Sequence, residues 1–303
     1  MDLEHLLILV LNKSDIALAI LLIVDITAYW LGRRHTKHPE RRGYGLKDTA
    51  TNVSLELANG FILRFTEVLG GAALVVVAAQ ITPLHWGTSN PVAWLIVLLL
   101  ADLAYYWEHR AAHRVRLFWT THSVHHSSQN FNLTTNYRLG LFGAMDLLGQ
   151  LWYVPIALLG APVQTIFLAK SLTILVQIPL HTERVNQMWR PIEYLFNTPS
   201  HHRVHHGANN PYLDKNFGGM FIFWDRLFGT YAHEVARVEF GLVHPVGSHN
   251  PLKVYTHEIR ALAGDLRHAR GPREWAGYLF GPPGWQPRRV AVAESEPTVQ
   301  PAS

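Results

Sequence analysis

Ten of the 19 histidines fall into three tight clusters and one outlier, and this distribution constrains the fold more than any other feature. The clusters are His109 and His113; His122, His125 and His126; and His201, His202, His205 and His206. His181 stands between the second and third. His109 and His113 are four apart, and on a helix they share one face. The i, i+3, i+4 spacing of His122, His125 and His126 does the same, and His202, His205 and His206 repeat it. The fold must bring three helical ends together, offering eight imidazoles toward one point. His181 is a candidate ninth ligand. His201 is a candidate tenth, although it points to a different face from His205.

The rest of the chain predicts where that meeting place lies. Apolar runs extend from about Ile16 to Leu31, Phe61 to Thr82, Pro91 to Trp107, Leu141 to Gly160 and Pro162 to Leu180. About 20 apolar residues cross a hydrocarbon core of about 30 Å, so these runs predict an all-α, polytopic membrane bundle of about four to five membrane helices. Lys170, Ser171, Thr173 and Gln177 interrupt the fifth run, which therefore either faces a polar cavity or lies shallow. The loop from Arg33 to Lys47 has six Lys or Arg residues, whereas the turns at Pro83–Asn90 and Gly160–Pro162 have none. The positive-inside rule then places the basic loop in the cytoplasm. Counting spans from there puts every histidine cluster on that same side, in a helical cap. From Thr182 onward the chain is soluble in character. Leu252–Arg270 is expected to form an amphipathic helix on the membrane surface. We expect one membrane-embedded domain over residues 1–285, with a disordered tail at 286–303. No cleavable signal peptide is evident.

Composition closes off other classes. With no cysteine there are no disulfides and no thiolate metal ligands. A net charge of +4 argues against a nucleic-acid partner. Eight or more nitrogens exceed the needs of one first-row metal, so two metals are expected. Imidazole suits iron, zinc, copper and nickel. Two nitrogen-rich sites beside lipid, with positions left open, suit dioxygen activation at iron better than a closed structural zinc site. A metal buffer or transporter is the non-enzyme alternative. His5, His35, His38, His85 and His268 are expected at the surface, and His233, His244, His249 and His257 in structural roles.

Several other residues are candidates around the clusters. Asp102 lies two turns before His109 on the same helical face and is expected to accept an N–H from a ligating imidazole. Asp214 and Asp225 are weaker candidates for that role. Asn132, Asn136 and Arg138 are candidates to orient a lipid headgroup. Arg110, Arg114, Arg116 and Arg138 are candidates to hold an anionic group or an acidic electron donor.

The motifs resemble those of a known family. The segments from Asp102 to His113, from Phe118 to His126, His181-Thr182-Glu183, and Pro199 to Gly207 continuing to Thr230 are similar to the fatty acid hydroxylase and sterol desaturase superfamily of membrane di-iron enzymes. The likeness covers about residues 99–232, and the run from His201 to Thr230 is most similar to the alkylglycerol monooxygenase branch and its bacterial relatives. The resemblance implies two iron ions, replaceable by zinc on purification, bound by His109, His113, His122, His125, His126, His202, His205 and His206, with His181. It also implies dioxygen as oxidant and electrons from a separate ferredoxin- or cytochrome-type donor. The substrate would be a membrane lipid hydroxylated in its alkyl part, with desaturation at the same site as the alternative. The setting would be a bacterial inner membrane, the histidines facing the cytoplasm.

Overall fold

The computed structural model describes residues 22–27, 29, 43–66, 71–87, 90–140 and 148–288. Most of the expected first span and of the expected tail lies outside these residues. The described part is helical, and its only β features are two isolated bridges, Phe196 with Phe221 and Gly207 with Phe240. In order the helices are α1 (Leu46–Thr66), α2 (Gly71–Ile81), α3 (Pro91–Arg114), α4 (Arg116–His126), α5 (Val154–Leu158), α6 (Val163–Leu175), α7 (Arg190–Leu195), α8 (Pro199–His205), α9 (Phe223–Phe228), α10 (Pro251–His268) and α11 (Pro272–Phe280). Short 3-10 turns span Leu133–Tyr137, Gly149–Tyr153 and Ile178–Leu180.

The apolar layer is built from α2, α3, α5 and α6. Its core is rich in small residues: Ala78, Ala101, Ala104, Ala157, Ala161 and Ala169, with Val75, Val97, Ile156, Ile166 and Tyr153. Small side chains allow helices to approach closely where lipid removes the hydrophobic drive for association. Outward the same helices expose Leu74, Val76, Val77, Ile81, Val92, Leu95 and Ile96. Among the described residues, two helical stretches are long and apolar enough to cross a membrane, Pro91–Arg114 and Val163–Leu180. Only 33% and 28% of their apolar windows are buried, so most of that apolar surface faces outward rather than into a soluble core.

Two of the other apolar runs are described in part. In the Phe61–Thr82 run the described residues are the end of α1, through Thr66, and the 11-residue α2. Within Leu141–Gly160, the described part is a 3-10 turn followed by the five-residue α5. Pro155 lies in the first turn of α5 and supplies no N–H, so helix does not run unbroken through this stretch.

α3 and α6 both start at one end of the layer and finish at the other. α3 begins with Pro91 and a side-chain cap from Asn90, whose Oδ1 accepts from Val92 N at 2.9 Å. At the starting end, Trp86 N donates to Gly160 O at 3.0 Å and Thr82 Oγ1 to Leu158 O at 2.7 Å. At the finishing end come His109 and His113 from α3, and His181 just beyond α6. Polar residues of α6 turn inward: Lys170 Nζ lies 3.4 Å from the Glu108 carboxylate, which also accepts from Tyr153 OH at 2.9 Å. Gln177 accepts from Tyr105 OH at 3.1 Å and donates to Thr173 O at 2.8 Å. Lys170 and Gln177 of the fifth run are therefore packed against α3, and Lys170 also against Tyr153 in the segment before α5.

α10 forms where a helix over Leu252–Arg270 is expected, and it rests against the protein. Asn250 caps it and Pro251 starts it, and Val254 and Leu262 are buried. It lies on α4, tied by Arg116 Nε to Glu258 at 2.8 Å and Arg116 Nη1 to Asp265 at 2.5 Å. Its apolar side packs on the protein, and Arg116 is consumed in that joint rather than free for an anion.

Arg138 is likewise a fold residue and not a headgroup ligand. It is buried, ion-paired to Asp48 of α1 at 3.0 Å, and bonded to Asn52 at 2.9 Å and Ser127 at 2.8 Å. Asn132 caps the Leu133–Tyr137 turn. Breaking a buried ion pair from one side leaves an uncompensated charge, so Arg138→Met should destabilise the protein by about 3–5 kcal/mol, and adding Asp48→Leu should recover much of that loss. Thermal unfolding in detergent of the two variants checks this, and a double variant less stable than the single one would contradict it.

Candidate metal centre

The chain turns sharply after each histidine-bearing element. α3 ends at Arg114, Val115 is extended, and α4 starts at once, so its three histidines return beside His109 and His113. His181 follows the 3-10 turn at the end of α6. α8 begins with Pro199, is only seven residues long, and carries His202 and His205 with His206 at its end.

These nine histidines converge as two groups. The first is His109, His113, His122, His126 and His205; the second is His125, His181, His202 and His206. Within each group the candidate ligand nitrogens all lie within 4.8 Å of one another. All nine are buried except His122, which is half-buried. The groups adjoin: His126 stacks on His206 with ring centroids 4.3 Å apart, and His125 and His126 are successive residues assigned to different groups.

Proton positions follow from the outer hydrogen bonds. A carbonyl only accepts, so a ring nitrogen bonded to one must carry the proton. His109 Nδ1 donates to Phe217 O at 2.9 Å, His205 Nδ1 to Lys215 O at 3.1 Å, and His181 Nδ1 to Gln177 O at 3.2 Å. Their Nε2 atoms therefore present lone pairs inward. His109 Nε2 faces His122 Nε2 at 3.1 Å, and His181 Nε2 faces His125 Nε2 at 3.3 Å and His202 Nε2 at 3.0 Å. The Nε2 atoms of His113, His126, His205 and His206 are buried without a hydrogen-bond partner. Nitrogens sharing one metal at about 2.0–2.1 Å stand about 3.0–3.4 Å apart. Converging, unpartnered lone pairs at these separations suit cations, and the histidine clusters can bind metal.

Two sequence expectations fail here. Asp102 accepts from no imidazole. Its carboxylate takes Met220 N at 2.7 Å, Phe221 N at 3.2 Å and Trp224 Nε1 at 3.0 Å. Its side chain reaches across to the loop before α9 instead of up its own helix. The weaker candidate Asp214 does face an imidazole, with Oδ1 3.5 Å from His113 Nδ1. His201 lies outside both groups. Its Nδ1 meets Thr198 Oγ1 at 3.2 Å, and its Nε2 meets Glu193 Oε2 at 3.1 Å. Asp225, the third acidic candidate, accepts from Phe217 N and Gly218 N at 2.7 Å each and from Thr230 Oγ1 at 2.6 Å, and burial pushes its carboxyl up to about 6. His233, His244, His249 and His257 stand outside both groups, as expected.

Sequence reasoning missed the carbonyls of Gln177, Lys215 and Phe217, because any residue type supplies a carbonyl. It also missed the aromatic packing: Phe131 lies 5.1 Å from His206 and 5.6 Å from His181, and Phe217 lies 5.2 Å from His113. A local signal for the loop did exist. Asp214 and Asn216 precede Gly218-Gly219, a turn-rich run immediately downstream of the third cluster.

The fatty acid hydroxylase family model matches residues 94–230, which contain all nine converging histidines. Alkylglycerol monooxygenase of Homo sapiens is 32% identical over 277 residues, covering 91% of this chain and 60% of that protein. Alkylglycerol monooxygenase of Xenopus tropicalis is 31% identical over 291 residues, 95% of this chain and 63% of its own length. Ornithine lipid hydroxylase OlsE of Rhizobium tropici is 30% identical over 150 residues, 48% of this chain and 44% of that protein. The chain thus spans about three fifths of the length of the alkylglycerol monooxygenases just named. No solved structure is a significant match. The chain is thus similar to the fatty acid hydroxylase family across the segment that holds its histidines, and to relatives named as an alkylglycerol monooxygenase and an ornithine lipid hydroxylase.

Proposed function

We propose that this chain is an integral membrane, dioxygen-dependent hydroxylase acting on the alkyl part of a lipid. Two iron ions would be held at the histidine-rich end, one by His109, His113, His122, His126 and His205, the other by His125, His181, His202 and His206. The observation that carries this reading is the convergence of nine imidazoles into two adjoining groups at the finishing ends of two apolar helices. The relatives named for alkylglycerol monooxygenation and ornithine lipid hydroxylation support the substrate class. The basic stretch from Arg33 to Lys47 supports a cytoplasmic position for the site. Electrons come from a separate ferredoxin- or cytochrome-type donor.

Bound there, the irons would supply dioxygen activation and removal of hydrogen from an unactivated carbon, chemistry that amino-acid side chains lack. The chain's own work is placement. Outer carbonyls fix the rings of His109, His181 and His205 with Nε2 inward. Phe131, Phe217 and Trp119 pack against the imidazoles and keep bulk water away. The outward apolar faces of α2 and α3 keep the site beside lipid. Arg110, half-buried, donates to Tyr106 OH at 3.1 Å, and Arg114 pairs with Asp214 at 3.4 Å while remaining half exposed. Arg114 is the better placed of the two for an anionic headgroup or a partner.

Lipid analysis of cells expressing the chain tests the function. Products heavier by one oxygen are expected, and His205→Ala or His125→Ala should lower them by at least about 100-fold, since even outer-shell losses reach that size. Unchanged lipid products in both variants would end the catalytic reading. Products lighter by a pair of hydrogens would make the enzyme a desaturase.

Burial, reinforced by neighbouring histidines, holds His122, His126, His202, His205 and His206 well below the usual imidazole range, and burial holds His181 at about 4. Neutral imidazole is the ligating form, so the fold keeps the donors ready. In the metal-free protein, the unfolded chain takes protons first, near 6.5. Stability is therefore complete above that value and is lost as pH falls from 6.5 toward each folded pKa. His181 alone would account for about 3 kcal/mol between about 6.5 and about 4. Thermal unfolding of chelator-treated protein in detergent should fall steadily below pH 6.5, and a flat profile down to pH 5 would contradict the burial of these rings.

A further inference from the structure

Three of the five imidazoles in the first group take their outer partner from one short segment, residues 214–217. The Asp214 carboxylate faces His113 Nδ1 at 3.5 Å, the Lys215 carbonyl accepts from His205 Nδ1 at 3.1 Å, and the Phe217 carbonyl accepts from His109 Nδ1 at 2.9 Å. The segment folds unusually to do so. Asp214 and Asn216 have φ of 56° and 57°, in the left-handed region that Asp and Asn tolerate better than other side-chain-bearing residues.

That conformation is held from several directions. Asn216 donates to His201 O at 3.2 Å and Ala232 O at 2.9 Å, and accepts from Ala232 N at 2.9 Å. Its own N–H bonds Thr230 O at 3.0 Å. Asp225 takes the next two N–H groups, Asn197 Nδ2 donates to Gly218 O at 2.7 Å, and Asp102 anchors Met220 and Phe221.

The second group takes no such support from a single segment. His181 donates to the Gln177 carbonyl, four residues back in its own segment, the Arg138 backbone lies against His125, and the Nδ1 atom of His202 has no hydrogen-bond partner. An outer acceptor on Nδ1 fixes the tautomer and ring angle and raises the basicity of Nε2. A site so fixed gives up less freedom when it binds a metal.

We infer that residues 214–217 are a preset outer shell for the first histidine group alone, with Asp214 the positioning residue for His113, so that the two metal positions are unequal: the five-histidine position binds tightly and the four-histidine position exchanges. This rests on the two-metal reading above. It concerns affinity, and so separates from any claim about the reaction.

Zinc is the probe, because it needs no exclusion of dioxygen. The full chain in detergent is titrated with zinc against a competing chelator, and bound metal is counted. The wild type should bind in two steps at least about 10-fold apart. His202→Ala should remove the weaker step and keep the tighter one. Asp214→Ala should weaken the tighter step by about 10–100-fold and leave the weaker one in place. Asp214→Asn, which keeps an acceptor oxygen and tolerates the left-handed backbone, should fall between. A merely structural role for Asp214 would move both steps together, and that result overturns the inference. So does a wild type with two equal steps, or an Asp214→Ala protein with an unmoved tight step. Should Asp214→Ala fail to fold, Asp214→Asn and the wild-type step separation decide alone. A wild type that binds no zinc would instead remove the two-metal reading itself.

Discussion

A buried imidazole has two nitrogens to satisfy, and the histidine-bearing end of this molecule depends on how that is done. If Nε2 is to face inward as a bare lone pair, Nδ1 must give its proton to something outside the group. Regular helix uses up carbonyls in its own ladder, and spare ones occur at helix ends and in irregular segments. The local structure follows this need. Gln177 O lies where α6 gives way to a 3-10 turn, and Lys215 O and Phe217 O belong to a loop with two left-handed residues. α8 stops after seven residues, with His206 already outside it. Long helices throughout would have aligned the histidines and left their outer nitrogens without acceptors.

The loop that supplies those carbonyls must itself be rigid, and two buried carboxylates make it so. Asp225 collects Phe217 N and Gly218 N; Asp102 collects Met220 N, Phe221 N and the Trp224 indole. Close approach is enforced from the other side: a Cβ on Gly219 would collide with Thr173 Cγ2, and one on Gly218 with the Phe221 carbonyl. Asp102 sits two turns below His109 on α3. One helix therefore provides a histidine and, through Asp102, steadies the loop whose Phe217 carbonyl orients that same histidine.

How far the sequence disclosed this depends on the kind of contact. Histidine spacing has a helical period, so the convergence of eight rings was legible, with the isolated His181 a candidate ninth, and so was their placement at one end of an apolar bundle. The outer carbonyls were not, because a backbone acceptor leaves no mark in residue identity. Asp102 was misjudged for a geometric reason: a seven-residue step puts two residues on one face, but it does not say whether a carboxylate reaches along the helix or across it. Arg138 was misjudged because its partner Asp48 lies 90 residues earlier, and basic residues near a cluster look available until their partners are placed. Around Pro155 the apolar composition continues where the described residues form only a 3-10 turn and a five-residue helix. Apolarity reports contact with lipid or core, and it does not by itself report continuous helix.

The polar residues of the fifth apolar run show why composition alone left two readings of that helix open. Lys170 and Thr173 lie three residues apart on one face of α6, and Gln177 follows in the turn just beyond its end. That face is turned to α3 and its neighbours: Lys170 meets Glu108 and lies over the Tyr153 ring at 4.5 Å, Thr173 is fully buried, and Gln177 meets Tyr105. The lipid-facing side keeps its apolar residues, so the helix satisfies the bilayer and its charged partner together. Glu108 is also the residue before His109. Its pairing with Lys170 and Tyr153 fixes the rotation of α3 about its axis, because two adjacent residues cannot both face the same way. With Glu108 held toward α6 and the segment before α5, His109 is directed to the histidine group. The ion pair inside the apolar layer and the imidazole beyond it are thus set by a single helical angle.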